Sequence, residues 1–99
     1  MVKVHTVGGF SEVGKNMMVI EYEEDAFIFD EGFFLPAMVS MEERDKVMTE
    51  KRLKSISAIP NDAVIDKIRN KVCAQFISHA HLDHVGAVPF ISDKYNAPI

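Results

Sequence analysis

The chain opens on alternation: Val2, Val4 and Thr6 stand at every second position with Lys3 and His5 between them, the period of a strand with one covered face. Two β-branched or aromatic runs follow, Met17–Tyr22 and residues 26–30, and the acidic triplet Glu23, Glu24, Asp25 reads as the turn between them. From residue 40 to 54 the pattern turns helical. Ser40 and Glu43 have the spacing of a capping box, and Glu42 with Lys46 and Glu50 with Lys54 form i,i+4 ion pairs on a solvated helix. A loop through Pro60 and Asn61 leads to a short predicted helix over residues 62–70, with Asp62 as N-cap and Val64, Ile65 and Ile68 as its apolar side. Residues 72–78 are an apolar strand. Strands and helices in this order predict an α+β fold.

Composition narrows the picture. Ninety-nine residues make one small domain, able to bury only about 60–70% of its unfolded surface. Eleven basic residues against fifteen acidic ones give a net charge of −4, so no overall basic field marks a nucleic-acid binder, and a polyanionic substrate would need a local solution such as bound metal. Basic residues gather between Arg44 and Lys71 and acidic ones between Glu21 and Glu31; interleaved signs on the helix read as a solvated face. The single Cys73 has no partner for an internal disulfide and lies in an apolar run, which predicts a buried thiol and a reducing compartment. No apolar run approaches the roughly 18 residues of a spanning helix, and no signal-peptide pattern opens the chain, so the expected location is the cytoplasm, without a membrane.

The chemistry concentrates in six residues. His79, His81, Asp83 and His84 directly follow the strand that ends at Ser78. Extended backbone sends residues i and i+2 to one side, so His79 and His81 are expected to aim at one point, while Asp83 and His84 diverge towards a second once the chain turns. Imidazole and carboxylate ligands at this spacing suit Zn²⁺, with Mn²⁺ or Fe²⁺ as alternatives. Gly86 and Pro89 then fit the start of a helix, giving strand, ligand loop, helix. His5 reads as an ordinary strand histidine. Between the first two strands, Gly8 to Asn16 forms a glycine-rich loop, either a tight connection or an active-site loop; its Lys15 lacks the spacing of a nucleotide-binding loop.

The order His-x-His-x-Asp-His after an apolar strand resembles the signature of the metallo-β-lactamase superfamily. The loop from Val7 to Met17, the Asp30-Glu31-Gly32 step and residues 84–99 are similar to the β-CASP nuclease branch, and within it to the ribonuclease J enzymes, archaeal members above all. The resemblance implies half of an αββα sandwich and two divalent ions: His79 and His81 would hold one, Asp83 and His84 the other, and Asp83 would also orient the attacking hydroxide. It makes Asp30 a supporting hydrogen-bond acceptor rather than a ligand, and places Gly9, Glu12, Gly14, Lys15 and Asn16 beside the active site, where backbone N–H groups or Asn16 would steady the metal loop or a substrate phosphate. Glu31 departs from the small residue usual at its position.

The implied activity is metal-dependent RNA hydrolysis, 5′-to-3′ exonucleolytic with endonucleolytic cuts, with RNA as partner and a homodimer as the assembly of the full-length protein. Another hydrolase of the superfamily acting on a thioester or lactone, and a noncatalytic metal-binding or interaction module, are the competing readings. A catalytic metal takes three protein ligands plus water, and the cluster supplies two per ion. Ala97, Pro98 and Ile99 look like the start of another strand. Residues 1–99 are therefore expected to be the N-terminal part of a metallo-β-lactamase domain, inactive alone, and Phe33, Phe34 and Leu35 to be core or a patch uncovered by a missing neighbour.

Overall fold

The computed structural model describes residues 1–39 and 49–99. Four strands, β1 (Val2–Gly8), β2 (Met17–Tyr22), β3 (Asp25–Phe29) and β4 (Val72–Phe76), form one sheet in the order β1-β2-β3-β4. The first three are an antiparallel meander, and β4 joins β3 in parallel. β2 and β3 are linked by the two residues Glu23 and Glu24; Glu23 adopts a left-handed φ of 53°, as tight hairpin turns require.

Pairing register sorts the side chains into two faces. Val19 opposite Ile28, Glu21 opposite Ala26, and Ile28 opposite Gln75 lie on one face, and all five residues are buried. The helical segments are α1 (Leu35–Val39), α2 (Glu50–Ser55), a 3-10 helix (Asp62–Lys71), α3 (Leu82–Val85), α4 (Val88–Ile91) and a short 3-10 turn (Ser92–Lys94), and α3 buries none of its residues. Leu53, Ala58, Ile59, Ile65, Ala87, Ile91 and Tyr95 complete the core with Met17 and Phe33. The other face carries Val2, Val4, Ile20, Tyr22, Phe27, Phe29 and Phe76. Phe29 and Phe76 stack with centroids 5.2 Å apart, yet Phe76, Val2, Val4 and Tyr22 are each about half exposed.

A buried ion network clamps the helical layer. Asp62, 1% exposed, receives Lys54 at 2.6 Å on one oxygen, and Lys94 at 2.6 Å with the Tyr95 hydroxyl at 2.5 Å on the other. Glu50 pairs with Lys54 at 2.8 Å and with Lys94. Burial alone would raise the Asp62 pKa, but these three donors outweigh it and hold the carboxyl below its usual range.

Several expectations need correction. A helix running unbroken from 40 to 54 does not form, because Thr49 is extended (φ −120°, ψ 159°) and its side chain caps a new helix by accepting from the Arg52 N–H. The Ser40–Glu43 box and the Glu42–Lys46 pair lie outside the described residues. Asn61 rather than Asp62 caps the following helix, accepting from the Ala63 N–H; Asp62 points inward to its cations. That helix is 3-10, whose three-residue turn rotates Val64 out to 63% exposure while Ile65 stays buried. Cys73 is exposed. Ala26 pairs with Val72 and Phe27 with Ala74, so Cys73 is the extra residue of a β-bulge, turned off the buried face. β4 stops at Phe76, two residues short of Ser78. Of the three apolar residues after Gly32, Phe33 is buried and Leu35 is 41% exposed. The Gln75 N–H donates to Pro98 O at 2.8 Å, so the last residues run beside β4.

Candidate metal centre

β3 and β4 run in parallel, so the chain leaves both at the same end of the sheet, and there the site assembles. Asp30 follows β3 with a left-handed φ of 70°, its N–H bonded to Phe76 O at 2.8 Å. This turn points its carboxylate at the segment leaving β4. One oxygen accepts from the Ser78 N–H at 2.7 Å; the other accepts from the Ser78 hydroxyl and from His84 Nδ1, both at 2.8 Å. Desolvation pushes the Asp30 carboxyl upward, but the Ser78 and His84 hydrogen bonds prevail and keep it ionised below its ordinary pKa.

With Nδ1–H donating to the Asp30 carboxylate, His84 turns its Nε2 away from Asp30 and toward the other candidate ligands, the arrangement that prepares an imidazole to bind a metal. The ligand atoms of His79, Asp83 and His84 all lie within 4.8 Å of one another. The His79 and His84 rings are 3.8 Å apart, and Asp83 Oδ2 is 3.5 Å from His84 Nε2. Two imidazoles and a carboxylate converging this closely fit a divalent ion by donor chemistry and by spacing. His81 stands outside that trio. It begins α3, its carbonyl accepting the N–H groups of His84 and Val85, and its ring sits edge-on to His79 at 4.8 Å. An apolar cleft of about 650 Å³, lined by Val13, Leu35, Pro36, Leu82 and others, borders His81 and Asp83.

The ligand turn is laced to two earlier segments through the main chain. Glu31 N–H donates to His84 O and Phe33 N–H to Leu82 O, both at 2.8 Å, and Ala87 N–H returns to Glu31 O at 2.8 Å. Gly32 is there by necessity, since a Cβ would lie 1.7 Å from Asp83 O. The glycine loop approaches from the other side. Gly14, with φ 111°, packs against Phe33 O and the Asp83 side chain; Lys15 N–H donates to Phe33 O at 2.7 Å; Asn16 reaches Asp83 O. Glu12 turns back to the Gly9 N–H at 3.3 Å and to Lys15 Nζ at 3.5 Å, and that ammonium lies 5.8 Å over the Phe34 ring. Gly9, Glu12 and Lys15 thus shape the loop, while Gly14 and Asn16 touch the ligand turn.

The role of Ser78 and the burial of Glu31 escaped the sequence reading. Ser78 spends both its N–H and its hydroxyl on Asp30, a role signalled only by its place immediately before His79. Glu31 is fully buried, and neither carboxylate oxygen has a hydrogen-bond partner among the described residues.

Residues 11–99 match the sequence profile of the metallo-beta-lactamase superfamily. Among curated proteins the chain is 42% identical over 97 residues to ribonuclease J of Pyrococcus abyssi, covering 96% of the chain and 21% of that relative. It is 38% identical over 98 residues to ribonuclease J of Methanocaldococcus jannaschii (98% of the chain, 22% of the relative) and 31% over 99 residues to that of Helicobacter pylori (99% and 12%). The chain spans about a fifth of the length of its archaeal relatives.

Proposed function

Since the chain belongs to the metallo-beta-lactamase superfamily, whose members bind divalent metal, we propose that it carries the first part of the metal centre of an RNA-hydrolysing enzyme like the ribonuclease J proteins it matches. In this reading residues 1–99 are the N-terminal part of a metallo-β-lactamase domain. His79 and His81 serve one ion and Asp83 and His84 a second, with Zn²⁺ preferred and Mn²⁺ the alternative. The observation that carries the proposal is the convergence of His79, Asp83 and His84 ligand atoms within 4.8 Å beside a histidine already oriented by Asp30.

When bound, such a pair of ions supplies Lewis acidity that lowers the pKa of water and offsets charge gathering on a phosphodiester under attack. The protein groups do the rest. Asp30 holds the His84 ring by its Nδ1 proton and, through Ser78, fixes the start of the ligand segment. Asp83, beside His84, would orient the attacking hydroxide. The centre also answers the charge problem, because cations at the cleft attract a phosphate that a chain of net charge −4 would otherwise repel. The activity proposed is 5′-to-3′ exonucleolysis with endonucleolytic cuts, by a homodimeric cytoplasmic enzyme. No helix among the described residues is long and apolar enough to cross a membrane.

The test is cleavage of a 5′-labelled single-stranded RNA by the full-length protein. Chelator-sensitive release of label as mononucleotide is expected, abolished by His81→Ala with an unchanged far-UV spectrum. Full activity in His81→Ala refutes the ligand assignment. Turnover of a thioester or lactone in place of RNA moves the protein to another hydrolase of the superfamily.

A further inference from the structure

Asn16 meets the ligand turn more closely than any other residue of the glycine loop. Its backbone N–H and its side-chain Nδ2 both donate to Asp83 O, at 3.2 and 2.8 Å, and Nδ2 lies 3.5 Å from His84 Nε2. Its carbonyl accepts the Gly32 N–H at 3.1 Å, so the residue is fastened to both segments that frame the site. The orientation of the amide is determined. Reversed, it would set Oδ1 against Asp83 O, two acceptors face to face. As placed, Oδ1 rests against Gly9, where a Cβ would come within 2.4 Å of it; the bare Cα at position 9 makes the room.

We propose that Asn16 is a positioning residue of the metal centre: by pinning the Asp83 carbonyl with two donors it sets the direction in which the Asp83 carboxylate and His84 Nε2 meet an ion. The proposal rests on the metal-centre reading above. Asp30 orients His84 from the Nδ1 side, and Asn16 fixes the main chain between the two ligands from the opposite side. The two supports are independent, one a carboxylate bonded to a ring and the other an amide bonded to a peptide carbonyl. Outer supports of ligating residues typically govern about 10–100-fold in metal affinity. Loss of Asn16 therefore loosens two ligands at once while leaving every ligand atom present.

The experiment uses the full-length protein, with Zn²⁺ affinity read by competition against a chromophoric chelator and the Co²⁺-substituted centre read by its visible absorption. Asn16→Ala removes the side-chain strut; Asn16→Leu keeps the branched shape, loses the donor without adding a charge or a ligand atom, and guards against a failure to fold. Both variants are expected to bind Zn²⁺ roughly 10–100-fold more weakly and to alter the Co²⁺ bands, whereas Ser11→Ala, exposed on the same loop, leaves both unchanged. Folded variants with wild-type Zn²⁺ affinity and wild-type Co²⁺ bands overturn the proposal, as does a lowered melting temperature as the sole effect. If the wild type binds neither ion, the metal-centre reading itself fails; if it binds and the variants match it, only the role of Asn16 does.

Discussion

Replacing Glu31 with glutamine removes a charge from the middle of the molecule while conserving the side chain's size. Glu31 is fully buried, with neither oxygen hydrogen-bonded among the described residues. Desolvation first, then repulsion from Asp62 and Asp30, outweigh the attraction of Lys94 and push its pKa from 4.5 up to about 7. A raised carboxyl pKa means that the native state holds its proton more tightly than the unfolded chain does. The associated stability is fully present below about pH 4.5 and is lost as pH rises through about 7. A shift of that size corresponds to about 3 kcal/mol. Urea unfolding, with wild type and Glu31→Gln side by side at pH 5 and pH 8, reads the effect, since titrating groups that do not interact with Glu31 cancel in the difference. Glutamine cannot ionise, so the variant should gain on the wild type by roughly 2–3 kcal/mol between the two pH values. An equal difference at both pH values refutes the reasoning, because it would mean that the Glu31 carboxylate is solvated or paired.

Two further substitutions probe the supports of the fold. Asp62→Ala leaves Lys54 and Lys94 with Glu50 alone and removes the acceptor of the buried Tyr95 hydroxyl, and should cost about 1–3 kcal/mol by chemical denaturation; unchanged stability would show that Asp62 contributes nothing to the network. Gly32→Ala drives a methyl to 1.7 Å from Asp83 O, so about 3 kcal/mol or more of stability should disappear in a thermal melt, and wild-type melting would disprove the close approach of these two segments.

The sequence made local features legible. Alternation placed β1, β-rich runs placed β2 and β3, and the Glu50–Lys54 spacing became a real ion pair at 2.8 Å. The metallo-β-lactamase likeness was legible as well, because its ligand signature occupies six consecutive residues. Features set by distant partners were hidden. Asp62 resembles an N-cap by position, yet Lys94 and Tyr95, more than thirty residues later, draw it inward. The bulge that exposes Cys73 depends on how β4 registers against Ala26 and Phe27, which an apolar run does not encode. Thr49 interrupts a pattern whose charge spacing reads as continuous helix, because periodicity records which face a residue takes and not where the backbone breaks. Glu31 stands out in sequence only as a departure from the small residue usual at its position; three-dimensional packing shows it buried without a hydrogen-bond partner among the described residues.

The supports of the ligand turn come from far up the chain: Asn16 lies 67 residues before Asp83, and Asp30 stands 54 before His84 and 48 before Ser78. Contacts of such separation close long loops, whose entropy the rest of the fold must offset before they hold. A short peptide spanning residues 78–84 would have the correct donors and no geometry. During synthesis the order is favourable, because the cradle from residues 14 to 33 leaves the ribosome before the histidines that it will hold. Under the metal-centre reading, ion capture depends on these distant segments being in place, so ion affinity reports on the fold as a whole and not on residues 78–84 alone.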